Sequence, residues 1–263
     1  MPVLEARGVE IAWSERGQGP PVLLIHETAA TQAVWDSLAD ALAREFRAIA
    51  YDRRGWGASS EPDEYRRTTV EEQSEDAGAL IEATADTPAV VCGAGLGAVI
   101  ALDLLLRRIE LVSAAVLIEP TLLQLTPLAT EALSEDRRRI EMAAANRENV
   151  VNVFLSGALP SLGPGVARQP DGMAVAARDR PRSVMAELGI PAGWRMPLPR
   201  LGSAERPSAI VIADSTPPLV REAASALGGR LALTSMREVS SPELPPHIGG
   251  AAEVASIVAE VSP

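Results

Sequence analysis

Short, uninterrupted apolar runs alternate with longer amphipathic stretches along most of this chain. Pro21–His26, Ala89–Cys92, Ala114–Glu119 and Ser208–Ala213 have the length and continuity of strands buried on both faces. Trp35–Phe46 sets Trp35, Leu38, Leu42 and Phe46 at helical spacing, and Thr69–Ala83 opens with an acidic turn that suits a helix N-terminus. Leu96–Arg108, Pro218–Leu227 and Ala251–Val261 are further helices. Additional strands are predicted at Val3–Ala6, Val9–Ser14, Arg47–Tyr51 and Arg230–Thr234, with Arg7-Gly8 as the first turn. This alternation predicts an α/β fold with a mostly parallel central sheet flanked by helices. It stops between Thr121 and about Arg206, where helices are separated by Pro/Gly stretches such as Leu159–Gly165. The simplest arrangement is a core of residues 1–120 and 207–263, with 121–206 inserted as a helical lid over the strand ends.

Composition narrows the function classes. The chain has 263 residues and 47% hydrophobic content, enough for one large core. It carries 35 acidic and 24 basic residues for a net charge of −11, which speaks against nucleic acid or an anionic membrane as partner. The basic residues are all arginine, so no Schiff-base, general-base or phosphate-cradling lysine is available. One cysteine and two histidines leave no internal disulfide and too few soft ligands for zinc. With no long apolar span and no signal-like segment at Met1–Arg7, a cytoplasmic protein is expected. No cofactor is expected, the partner is a small apolar or aromatic substrate, and a homodimer is compatible.

Several segments carry a resemblance in a fixed order. Val22-Leu23-Leu24-Ile25-His26 with its following loop, Trp35-Asp36-Ser37-Leu38-Ala39, Tyr51-Asp52-Arg53-Arg54-Gly55-Trp56-Gly57-Ala58-Ser59 and Ile109–Pro120 resemble the α/β-hydrolase superfamily in its lidded form. The resemblance covers nearly the whole chain outside the lid. It implies an α/β-hydrolase fold with a pocket at the carboxyl ends of the strands.

The same resemblance exposes departures. The nucleophile elbow, G-x-S-x-G in the family, reads Gly93-Ala94-Gly95-Leu96-Gly97, so Gly95 stands at the nucleophile position and offers no atom for acyl transfer. Counting from the preceding strand puts Thr216 at the acid position, with Asp214 two residues early. Counting back from the last helix puts Leu244 at the base position, with His247 on the later one; either the loop is shortened and His247 is the base, or the triad is lost. His26-Glu27 replaces His-Gly, bringing a carboxylate to the oxyanion loop. The candidate bases are His247, His26, Glu27 and Asp214, in that order. Gly95, Leu96, Thr28, Trp35, Trp56, Glu119, Leu122 and Met142 are the candidate substrate contacts, with the N–H groups of Leu96 and the 27–28 region as oxyanion donors. No metal ligands are assigned. Taken alone, Gly93–Ala98 followed by Glu119 also fits a dinucleotide fingerprint, and Cys92 reads as a buried free thiol.

These readings lead to an expectation of a non-hydrolytic, cofactor-independent enzyme. It would act on a small aromatic or polyketide-like molecule in bacterial specialised metabolism. Cyclisation, C–C bond formation, rearrangement or elimination would use a preorganised pocket and backbone donors. The alternatives are an inactive small-molecule binding protein on the same fold, or a hydrolase with an altered triad or an engineered serine-to-glycine change.

Overall fold

The computed structural model describes residues 1–127, 129–146, 149–155, 171–188 and 190–263. Its centre is an eight-stranded sheet of β1 (Val3–Ala6), β2 (Val9–Arg16), β3 (Pro21–Ile25), β4 (Arg47–Tyr51), β5 (Ala89–Ala94), β6 (Val112–Ile118), β7 (Ser208–Ala213) and β8 (Thr234–Val239). The spatial order is β1-β2-β4-β3-β5-β6-β7-β8, antiparallel at β1–β2 and β2–β4 and parallel from β4 onward.

Every residue of β3, β5 and β7 is buried, because helices cover both faces of the parallel sheet. Alternation along β3 divides the core. Leu23 and Ile25 pack on the side of α2 (Val70–Thr84), α3 (Leu96–Arg107) and α10 (Pro218–Gly228). Val22 and Leu24 pack on the side of α1 (Asp36–Leu42) and α12 (Ala251–Val261). The Thr69 hydroxyl accepts the Glu72 N–H at 3.1 Å and so starts α2 as an N-cap.

One strand lies elsewhere than the apolar pattern predicts. The expected strand at Arg230–Thr234 begins only at Thr234, which pairs with Ser208. Leu233 sits at φ 49 and is 64% exposed, turning the chain before it enters the sheet, while Leu231 is buried in the core instead. The true strand, Thr234–Val239, is polar because it forms the sheet edge and has one open side.

Between β6 and β7 the chain forms α4 (Ala129–Ala145), α5 (Val150–Leu155), α6 (Asp171–Asp179), α7 (Pro181–Glu187), α8 (Ile190–Gly193) and α9 (Leu198–Leu201). The Leu159–Gly165 stretch lies outside the described residues. Val151, Ala177 and Val184 of this insertion pack with Ala29 and Trp56, which belong to the loops leaving β3 and β4. The insertion is therefore seated at the carboxyl ends of the strands. No helix among the described residues is long and apolar enough to cross a membrane.

Candidate functional site

β3 and β5 are neighbours in the sheet, but the chain reaches β4 and β5 on opposite sides of β3. In an open α/β sheet such a reversal is where a ligand crevice is expected, beyond the carboxyl ends of the strands. β3 delivers His26 and Glu27 to it, and β5 delivers Gly95.

Gly95 joins β5 to α3 at φ 55 and ψ −117, a conformation that costs a side-chain-bearing residue strain. The flanking glycines serve packing: a Cβ on Gly97 would collide with the Ile25 carbonyl, and one on Gly93 with the Gly97 carbonyl. Gly95 differs, since a Cβ there would meet a side chain, 3.0 Å from Glu27 Cβ and 3.4 Å from Glu27 Oε2. The Glu27 carboxylate thus lies over the turn, in the direction a side chain on residue 95 would take.

His247, on the short α11 (Pro246–Gly249), is fully buried, with Nε2 3.6 Å from Glu27 Oε1. Its ring centroid is 4.6 Å from that of Trp35. Among the described residues neither ring nitrogen has a hydrogen-bond partner, and burial pushes its pKa down to about 3, so the imidazole is neutral over the ordinary pH range. A buried polar group left without a partner marks a place where another polar group can bind.

His26 is occupied differently. Its Nδ1 faces the Glu27 carbonyl at 2.7 Å and its Nε2 accepts the Arg53 N–H at 2.9 Å. A carbonyl can only accept and an amide only donate, so the ring is the neutral Nδ1–H tautomer, with both nitrogens spent on backbone. Burial first, and the Arg53 charge second, hold its pKa well below the ordinary histidine value. The structure gives His26 a fastening role in place of the base role the sequence reading allowed it.

Asp214 is engaged elsewhere. It is exposed, and its Oδ1 accepts N–H groups from Ser215 at 3.0 Å and Ser241 at 3.1 Å. Thr216, at the counted acid position, accepts the Ala213 N–H at 2.7 Å and donates its hydroxyl to Glu119. Glu119 itself follows β6 directly, at φ 45.

The remaining candidates divide. Leu96 opens α3, where the Ala98 N–H turns back to the Gly95 carbonyl at 3.2 Å and the N–H groups of Leu96 and Gly97 stand at the helix N-terminus, where an anion would be favoured. Thr28 is half-buried beside Glu27. Leu122 belongs to the main core, Trp35 packs in the opposite core against His247, and Trp56 is fully buried. Met142 is 59% exposed and faces solvent instead of roofing a pocket. Burial raises the Cys92 thiol pKa, leaving it inert. Among the described residues no group of three or more His, Cys, Asp and Glu side chains could hold a metal ion.

Sequence reasoning missed Arg53 and Glu187. Arg53 is fully buried and donates from Nε to the His26 carbonyl at 2.8 Å and from a terminal nitrogen to the Glu27 carbonyl at 3.0 Å. Its other hydrogen bonds go to Gln73 and, at 2.6 and 3.1 Å, to both carboxylate oxygens of the equally buried Glu187. A buried arginine inside the Asp52–Ser59 motif was the one available signal, because such a charge needs a buried carboxylate somewhere.

Residues 22–250 match the family described as "Alpha/beta hydrolase family". Over 122 residues the chain is 37% identical to the "Uncharacterized hydrolase YraK" of Bacillus subtilis, covering 46% of this chain and 45% of that one. Over 151 residues it is 29% identical to the 2-(acetamidomethylene)succinate hydrolase of Mesorhizobium japonicum, covering 56% and 52%. The matches thus span about half the length of these curated relatives. An esterase from Thermogutta terrifontis superposes with a TM-score of 0.76 at 20% identity, over 96% of this chain and 92% of that one, which speaks for the fold alone. The expectation of a non-hydrolytic enzyme of cyclase type in natural-product biosynthesis is corrected by these findings, since both of these curated relatives are named hydrolases.

Proposed function

From the premise that the chain belongs to the alpha/beta hydrolase family, we propose that it is a hydrolase of small ester-type molecules in which Glu27 and His247 work above Gly95. The observation that carries this reading is the Glu27 carboxylate over the elbow turn, within 3.6 Å of a buried imidazole whose nitrogens find no hydrogen-bond partner among the described residues. The substrate carbonyl would lie against Gly95, with its oxygen toward the N–H groups at the start of α3. Water would attack the carbonyl carbon as Glu27 takes its proton, and the electron pair would move onto the oxygen held by those donors. Collapse of the tetrahedral species breaks the bond to the leaving oxygen, which receives the proton back from Glu27. The products are a carboxylic acid and an alcohol, and no acyl-enzyme forms. Neutral His247 orients the carboxylate; the 3.6 Å separation is longer than a hydrogen bond, and such contacts tighten when substrate is bound. Residues 121–206, seated on the loops after β3 and β4, would be the lid that shields this site from bulk water.

The test is hydrolysis of p-nitrophenyl acetate by the wild type and by Glu27→Gln, with intact-protein mass measured during turnover. The expected results are a loss of about 10²–10⁴-fold in kcat for the variant and an unmodified wild-type mass. A covalent acyl adduct, or a variant as fast as wild type, would overturn the reading.

A further inference from the structure

The insertion does more than cover the strand ends, because one of its carboxylates is wired to the segment that carries Glu27. Glu187, the last residue of α7, is fully buried and grips Arg53 through both oxygens. Its Oε1 also accepts the Trp56 indole N–H at 2.8 Å and the Gln73 amide at 3.3 Å. The same Arg53 guanidinium also holds the carbonyls of His26 and Glu27. α7 is fastened to the β4 loop by separate contacts as well. The Ser183 hydroxyl donates to the Gly55 carbonyl at 2.7 Å, and Arg180 donates to the Gly57 carbonyl at 2.8 Å.

We propose that Glu187 is a positioning residue, which through Arg53 sets the Glu27 carboxylate against Gly95 and His247, so that the site is assembled only while α7 is seated. This rests on the hydrolase reading above for its effect on rate, but not for its effect on geometry. The physical reason is the directionality of the guanidinium. Arg53 presents a rigid, planar fork, and two of its donors fix two successive carbonyls of the 26–27 segment. The orientation of that fork is set by the two oxygens of Glu187, which take the adjacent pair of donors, one terminal nitrogen being shared with the Glu27 carbonyl. Without the carboxylate, the fork keeps its charge and loses its registration, and the carbonyls it holds move with it. A displacement of about 1 Å in a reacting group is enough to cost about 10²-fold in rate.

The neighbouring pair provides the control. Arg54 makes an equivalent buried fork with Asp76, at 2.6 and 2.7 Å, from the next residue of the same loop. No carbonyl of the 26–27 segment is among its partners in those contacts. Removing either carboxylate disturbs a buried arginine, Arg54 keeping Glu72 at 2.5 Å, so both changes burden the fold, but only Glu187 is joined through its arginine to the 26–27 carbonyls.

The chain's two histidines make the geometry readable without substrate, since His26 and His247 are the only imidazoles in the sequence. The experiment compares ¹⁵N-histidine NMR spectra and p-nitrophenyl acetate kinetics for wild type, Glu187→Gln, Glu187→Asp and Asp76→Asn. Glu187→Gln is expected to shift the ring-nitrogen signals of both histidines and to lower kcat at least about tenfold with little change in KM. Glu187→Asp, which restores the charge, is expected to recover part of both, and Asp76→Asn to leave both at wild type. If Glu187→Gln does not fold, Glu187→Asp carries the comparison, with smaller shifts in the same direction. Unmoved histidine signals in the Glu187 variants, or equal shifts in Asp76→Asn, overturn the proposal. If the wild type does not cleave the ester, the hydrolase reading fails and the NMR comparison still decides the positioning role.

Discussion

Replacing Gly95 with serine asks whether a side chain at that position and Glu27 exclude one another. Two separate costs can be worked from the geometry. The backbone at φ 55 and ψ −117 strains any residue bearing a Cβ by about 1–3 kcal/mol. The new Cβ would also stand 3.0 Å from Glu27 Cβ and 3.4 Å from its Oε2, an overpacking of about 1–3 kcal/mol. Only the second cost depends on Glu27, and Glu27→Gly removes both atoms responsible. A double-mutant cycle on Gly95→Ser and Glu27→Gly should therefore show the pair more stable than the sum of the singles by about 1–3 kcal/mol. The backbone-entropy cost of a glycine at position 27 appears in both the single and the double variant and cancels. Urea unfolding of all four proteins, followed by far-ultraviolet circular dichroism, measures the coupling. Additivity within about 0.5 kcal/mol would refute the claim that the two side chains compete for one volume.

Three further outcomes are expected. Neither His26 nor His247 should titrate between pH 5 and 8 in ¹⁵N-histidine spectra, since burial holds both neutral; a midpoint near 6.5 for either would contradict the site description. Their depressed pKa values also set a pH dependence of stability. The unfolded chain protonates each histidine near pH 6.5 and the folded chain does not, so this contribution is complete above about pH 6.5. Below that it falls by about 1.4 kcal/mol per pH unit for each histidine, until His247 itself takes a proton near pH 3. Asp76 and Asp103, whose carboxyl pKa values are raised by burial, work in the opposite direction at acidic pH, so urea midpoints between pH 5 and 7.5 give the cleanest view. Asp214→Asn should leave ester turnover at the wild-type level, because its carboxylate serves two loop amides; a large fall in kcat would bring it into the chemistry.

The central strands were legible in the sequence because burial on both faces demands uninterrupted apolar residues, as in Val22–Ile25 and Ser208–Ala213. β8 was not, since an edge strand such as Thr234–Val239 keeps only part of that demand while the apolar Leu231 belongs to a turn. That His26, Glu27 and Gly95 meet at the strand ends was implied by the family resemblance, not by the alternation of elements. What pattern could not give was direction. Whether Glu27 lies over Gly95, or His26 turns both nitrogens to backbone, depends on loop conformation. The Arg53–Glu187 pair was hidden for another reason: it joins residues 134 apart, and no local period records such a contact.

That separation has a consequence for the order in which the molecule comes together. His26 and Arg53, which fasten the ends of β3 and β4, are 27 residues apart. Closing the 134-residue loop to Glu187 costs about 1.4 kcal/mol more chain entropy than closing that one, and it is repaid only once α7 has a finished surface to rest on. By this count alone, the pair between α7 and the β4 loop is expected to close after the β3–β4 junction, leaving the 26–27 segment unlocked until α7 docks.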